Sequence, residues 1–204
     1  MAIQINGNGT ITGISVGGLP DGIVDTDMIA NSAVTTAKSS GLGTSTRTVG
    51  SAITLSNQSN VDFTGFGTIK RFDIMLNAVS CSNSTNWGIK IGTGGSVDSS
   101  GYRVQCGYLL SNSNIADANS GGFFTKGLAD SNYSNNGIFR FVNVHDQTGS
   151  KWYCDAIITE YSTTNYTFYV KGYRTLSGAL DIIRVLPIAG TFDSGELRLV
   201  TYSD

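Results

Sequence analysis

The chain has 204 residues, a net charge of -2, 40% hydrophobic and only 14% charged residues, a length that suits one or two domains. Gly, Ser, Thr and Asn make up about two-fifths of it, but there are only 2 prolines, and 9 Tyr, 9 Phe and 2 Trp supply a core, which argues against a disordered chain. With 13 basic residues offset by 15 acidic ones and nowhere clustered, nucleic acid is not the expected partner.

No apolar run approaches the ~18 residues of a membrane-spanning helix. The opening MAIQINGNGT lacks the basic and apolar regions of a secretory signal, so neither membrane insertion nor export is expected. In chain order, Ile3-Gln4-Ile5 and Thr10–Val16 alternate with period two around Asn6-Gly7-Asn8-Gly9, which predicts a hairpin. The Gly7-x-Gly9 element does not extend to a dinucleotide fingerprint. No helix pattern follows, and the third glycine falls at Gly13, one place too late.

Residues 21–40 hold a ten-residue repeat: Val24 matches Val34 and Thr26 matches Thr36, with Asp21 or Asn31 opening each unit. A unit this small cannot bury its own apolar side, and stacked units need several copies. Ile23, Val24, Met28, Ile29 and Val34 therefore call for neighbours from other chains. A flexible linker is the alternative. A short helix over Asp27–Lys38 capped by Thr26 is a further local reading, weakened by Thr35 and Thr36, which are poor helix formers.

Strand signals become dense from residue 47 onward. Ser51–Leu55 is short. Thr68–Val79 puts Ile69, Phe72, Ile74, Leu76 and Ala78 on one side, with a bulge expected near Arg71. Trp87–Ile91 aligns Trp87, Ile89 and Ile91, and Tyr102–Leu110 aligns Tyr102, Val104, Cys106 and Tyr108. Ile138–Val144, Trp152–Tyr161, Tyr166–Tyr173, Leu180–Ile188 and Glu196–Tyr202 complete about nine strands separated by Gly, Ser and Asn clusters. That pattern predicts an all-β antiparallel sandwich. No long amphipathic helix is legible, which excludes parallel α/β folds.

Cys81, Cys106 and Cys154 cannot all pair within one chain and form no C-x-x-C. With His145 the only histidine, no zinc site is expected. Buried thiols on strands, made in a reducing compartment, are predicted. Any catalytic triad must run through His145, whose neighbours Asn143, Asp146 and Gln147 read as a polar turn; nothing resembles a nucleophile elbow. A carboxylate pair would come from Asp73, Asp117, Asp155, Glu160 and Glu196. Asp155 and Glu160, five apart on one strand, point to opposite faces, and solvated strand positions are expected for them. Asp25-Thr26-Asp27 reads as turn capping rather than a metal loop. Neither enzyme chemistry nor any cofactor is expected. Sequons at Asn8, Asn57, Asn83, Asn132 and Asn165 follow from composition.

What remains is surface chemistry. The segments Cys81–Trp87, Thr93–Tyr102, Ser111–Phe124 and Asp130–Gly137 read as Asn-, Ser- and Gly-rich loops with occasional aromatics, a combination that suits sugar hydroxyls and sugar C–H faces. Tyr133, Asn135 and Asn136 are the first candidate contacts, Trp87 and Tyr102 the next. Trp152, inside an alternating run, reads as core.

Leu19-Pro-Asp-Gly-Ile-Val-Asp-Thr-Asp-Met-Ile-Ala-Asn-Ser-Ala-Val-Thr-Thr-Ala-Lys38 resembles the "DG-x-[IV]-T-T-x-x-I-A-x-x-A-V-T-T-A-K" units of tail-fibre and related virion proteins of tailed bacteriophages, especially phages of marine bacteria. Thr191-Phe-Asp-Ser-Gly-Glu-Leu-Arg-Leu-Val200 is similar to the closing "F-x-[SA]-G-x-[IL]-x-L-Y-G" strand of their β-sandwich tips, with Val200-Thr201 replacing Tyr-Gly and a tyrosine at Tyr202 instead. Together the motifs cover about a sixth of the chain.

The resemblance implies a homotrimer with a virion-attachment segment over 1–18, a short shaft over 19–46 and a jelly-roll-like sandwich over 47–204. Ile11, Ile14, Val16 and Leu19, with the apolar repeat residues, would serve oligomerisation and attachment to other virion proteins of the tail, baseplate or capsid. The sandwich would bind host surface polysaccharide. Residues 1–18 would dock by lending a strand to a neighbouring sheet. The virion, assembled in the host cytoplasm, is the implied location. A capsid decoration, cement or head-fibre protein is the alternative. A polysaccharide depolymerase fits less well, because such spikes need a longer β-helical body and a carboxylate groove.

Overall fold

The computed structural model describes residues 4–5, 11–12, 46–109, 114–125, 131–144, 151–162 and 165–203. The chain divides into two units, Met1–Thr44 and Ser45–Asp204. In the first, β1 (Gln4–Ile5) and β2 (Ile11–Thr12) pair antiparallel with Ile5 opposite Ile11, as the hairpin reading expects. Ile14, Val16, Leu19, Ile23, Val24, Met28, Ile29 and Val34, and with them the ten-residue repeat, lie outside the described residues.

The second unit is built from strands alone among its described residues. They are β3 (Thr46–Val49), β4 (Ile53–Thr54), β5 (Val61–Thr64), β6 (Arg71–Cys81), β7 (Trp87–Thr93), β8 (Ser96–Val97) and β9 (Arg103–Leu109). Then follow β10 (Asn114–Asn119), β11 (Phe123–Phe124), β12 (Ser134–Asn143), β13 (Lys151–Tyr161), β14 (Tyr166–Thr175), β15 (Ile182–Pro187) and β16 (Phe192–Ser203).

A large sheet runs in the order β10-β9-β14-β13-β12-β6-β16-β3, with β4 also on β16; a small sheet runs β11-β7-β15-β5, with β8 on β7. The pairings within these sheets are antiparallel. Taken in chain order, β3/β4, β5, β6, β7, β11, β12, β15 and β16 interleave as 3-16-6-12 in one sheet and 5-15-7-11 in the other. That is the two-Greek-key interleaving of a jelly roll. Two hairpins, β9–β10 and β13–β14, are inserted into this plan and widen only the large sheet, beyond β12.

The sheets meet through inward aromatic rings. Trp87 of the small sheet stands edge-on to Phe139 and Phe192 of the large one at 5.7 and 6.2 Å. Phe123 meets Phe141 edge-on at 4.9 Å, and Phe141 stacks on Phe72 at 4.4 Å. These rings are 0% exposed, as are Ile74, Ile89, Ile91, Ile158 and Ile183. Strict alternation along Trp152–Tyr161 places Trp152, Cys154, Ala156 and Ile158 inward, as read from the sequence. All three cysteines are free and buried, again as expected.

The bulge lies elsewhere than expected. Arg71 sits in regular register opposite Val142 and Tyr202. The break is at Ala78, whose φ is +53°, and the neighbouring strands shift register there, at Asn135/Gly137 and Ser194/Glu196. Ala78 is consequently exposed rather than in the core, and Val79 and Cys81 take the inward positions. The physical reason is local. The Ala78 N–H donates to Asn136 Oδ1 at 2.9 Å instead of to a ladder carbonyl, and Gly195 crosses beside it with φ +105°. A Cβ on Gly195 would stand 2.5 Å from the Ala78 carbonyl oxygen.

Gly195→Ala is therefore expected to lower stability by about 1–3 kcal/mol through backbone strain and overlap, read as a fall in denaturation midpoint with unchanged far-UV circular dichroism. An unaltered midpoint would show that the crossing is not tight.

Candidate functional site

Two surfaces of the sandwich offer chemistry. The first is a loop end. The β6–β7 connection (82–86), the β15–β16 connection (188–191) and residues 55–60 are tied together there. The Ser82 N–H donates to Thr191 O at 2.8 Å, the Ala189 N–H to Thr85 Oγ1 at 3.1 Å, and the Phe192 N–H to Gln58 O at 2.8 Å. The start of β12 joins the same end, because Asn135 Nδ2 donates to Val79 O at 3.0 Å. Ser82, Asn83 and Ser84 are exposed there, as are Ser131 and Asn132, and Tyr133 and Asn136 are half-buried. The result is a rim of hydroxyls and amides around the Tyr133 ring, with the exposed Tyr161 opposite Ser134.

The structure sorts the predicted contact residues. Tyr133 and Asn136 stand at this end with part of their surface available. Asn135, 1% exposed, is a buried structural link between β12 and β6, so it is withdrawn from the contact set. Trp87 is 0% exposed and packs between the sheets. Tyr102, 2% exposed, anchors β9 to β7: the Ile91 N–H donates to its Oη, and its hydroxyl donates to Ile91 O, each at 3.0 Å. Neither ring has surface for a ligand. Each stands where an Asn-, Ser- and Gly-rich segment meets an alternating run, and the packing that buries it is not visible in the local sequence.

The second surface is the outer face of the large sheet, where side chains form rows across the strands. One row reads Val200, Asp73, Arg140, Asp155, Lys171 and Gln105 from β16 through β6, β12, β13 and β14 to β9. The row above it holds Tyr202, Arg71, Val142, Tyr153, Tyr173 and Arg103; the row below holds Arg198, Met75, Ile138, Ile157, Tyr169 and Gly107.

Asp73 organises one flank. It accepts from Arg71 at 2.7 and 3.1 Å and from the Tyr202 hydroxyl at 3.2 Å, and lies 3.8 Å from Arg140. Arg71 also stacks over the Tyr202 ring at 4.4 Å. The hydrogen bond to Asp73 pushes the Arg71 guanidinium above its already high ordinary value. On the other flank Lys171 pairs with Asp155 at 3.1 Å.

Among the candidate carboxylates, Asp155 is on this outer face and Glu160 is inward and 2% exposed. The opposite faces expected of the pair are found, but Glu160 is not the solvated position expected; Asp73 is likewise buried, at 5%. Glu196 is exposed, and the side chain of Asp117 and all of His145 lie outside the described residues. Among the described residues no group of three His, Cys, Asp or Glu side chains could hold a metal. No helix of the described residues is long and apolar enough to cross a membrane.

Burial raises the Cys81 thiol to about 12 and Cys154 well above its usual value, which disfavours the reactive thiolate. Two outcomes follow. Native protein at pH 8 is expected to leave all three thiols unreacted with a chromogenic disulfide reagent and to release three on denaturation. The raised Cys81 value favours the folded state fully below the ordinary thiol value of 9.0, and that contribution is lost as pH rises from there toward about 12; equilibrium unfolding at pH 8 and 10.5 reads the decline. Asp73→Ala is expected to cost about 1–3 kcal/mol, the range for hydrogen bonds to a charged group, by the same measurement. Comparison of the chain with protein-family models, with curated proteins and with solved structures returns no match.

Proposed function

We propose that this chain is a structural virion protein of a tailed bacteriophage, a homotrimeric short tail fibre that holds host surface polysaccharide through its β-sandwich. One observation carries the reading: three fixed positions of the motif resembling the fibre-tip strand, Phe192, Gly195 and Leu197, each have a physical duty in β16. Phe192 is a fully buried ring against Trp87, Gly195 makes the close crossing at Ala78, and Leu197 is fully buried in the core. The motif is thus a packing specification for a central strand of such a sandwich. It is not a chance run of small residues.

The loop end suits the role. Exposed hydroxyls and amides around Tyr133 can exchange hydrogen bonds with sugar hydroxyls, and the ring can lie against a sugar face. Each such site is weak. Three held together on a repetitive polysaccharide gain a factor of ~10²–10⁴ in favourable geometry. The attachment role of residues 1–18 and the shaft role of residues 19–46 rest on the resemblance and on the apolar repeat.

Two measurements test the reading. Chemical crosslinking of the purified chain is expected to give three linked copies. Binding to host cells is expected to fall when surface glycans are removed, and Tyr133→Ala is expected to weaken it about tenfold or more with an unchanged melting temperature. Binding indifferent to glycan removal overturns the receptor role, and protein found on the head of imaged virions favours a decoration protein instead.

A further inference from the structure

The outer face of the large sheet carries exposed apolar side chains on either side of its charged row. Most of the exposed large apolar side chains of the described residues are on it: Val49, Met75, Val142, Tyr153, Ile157 and Tyr161. Ile157, at the centre, is 61% exposed. Single apolar residues are ordinary on a surface, but several grouped on one sheet face, here in the two rows flanking the charges, mark a contact with another macromolecule.

The charges on that face identify the partner. Along the central row the signs alternate: Asp73 negative on β6, Arg140 positive on β12, Asp155 negative on β13 and Lys171 positive on β14. This order is antisymmetric about its midpoint, between β12 and β13. A two-fold axis running nearly parallel to the strands through that midpoint reverses strand order and keeps each row at its height. Arg140 then faces the partner's Asp155, both part-exposed, while Asp73, 5% exposed, stays held within its own chain by Arg71 and Tyr202. The flanking rows obey the same operation. Ile138 meets the partner's Ile157, Met75 meets the partner's Tyr169, and Arg71 meets the partner's Tyr173, a cation over an aromatic ring.

We propose that the outer face of the large sheet is an isologous interface between two copies of this chain. Each contact named occurs twice, as a two-fold interface requires. Facing sheets pack within about 30° of aligned, which the twist of this sheet permits. Six strands about 4.8 Å apart and three rows about 6.7 Å apart make a face of roughly 25 by 20 Å, toward the small end of the scale set by the about 800 Å² per partner of a standard specific interface. The pairing does not rest on the fibre reading. In a fibre it would join sandwiches of neighbouring assemblies.

The test separates this interface from the fold. Asp155→Lys with Lys171→Glu keeps an opposite-charge pair within the chain but makes both symmetry-related contacts of Arg140 with the partner's position 155 repulsive. Analytical ultracentrifugation of the full chain is expected to give an even multiple of the 21.5 kDa chain mass. The double variant is expected to weaken the pairing about 100-fold or more, halving the mass at micromolar concentration with unchanged circular dichroism. Ile157→Glu, which disturbs no charge pair, is expected to act in the same direction. A monomer, a plain trimer, or an even assembly whose mass neither variant alters overturns the proposal. A plain trimer that binds host cells would leave the fibre reading standing, and an even assembly that ignores host cells would do the reverse.

Discussion

The aromatic seam between the two sheets is the constraint on which the rest of this molecule depends. A small sheet with short edge strands cannot be stable alone; it is held because Trp87 and Phe123 insert between Phe139, Phe141 and Phe192 of the large sheet. Rings of this size contribute both buried area and edge-to-face geometry. That geometry fixes the spacing and register of the layers. Once the layers are fixed, the ends of the strands and the loops between them have determined places.

Those places explain why the two sides of the large sheet differ in character. Its inner face is committed to the seam and offers nothing to a partner. Its outer face carries alternating charges that pair across strands, Arg140 with Asp73 and Lys171 with Asp155, between rows that mix apolar side chains with arginines. The inserted hairpins β9–β10 and β13–β14 are what make that face wide. They supply Asp155, Lys171, Tyr153, Ile157 and Tyr173, and without them the face would end at β12. The insertions therefore enlarge the outer face while leaving the jelly-roll plan intact.

The loop end is a different kind of surface. Short, hydroxyl-rich connections are tied to one another by backbone and side-chain hydrogen bonds such as Ser82 with Thr191 and Thr85 with Ala189. This holds polar groups in position without a deep cavity. A surface of that kind suits weak, multiple contacts with hydrated polymers, where gain comes from repetition of sites.

By itself the sequence determined the fold class and most of the inward residues, because half-buried strands write their burial into period-two alternation; Phe168 and Val170 against Lys171, and Trp152 through Ile158, are plain cases. It also determined that the cysteines are buried thiols. It did not reveal β10 and β11, Asn114–Asn119 and Phe123–Phe124, which sit in a segment read as a loop. β10 takes its register from β9, and two phenylalanines are too short a run to show a period. Nor did it place the bulge at Ala78, which depends on Asn136 and Gly195 arriving from distant strands. Tertiary structure alone decided that Trp87, Tyr102 and Asn135 are interior and that charges far apart in the chain fall into one alternating row. The reason is that cross-strand neighbours are set by sheet order and register, and neither is a property of any local stretch of residues.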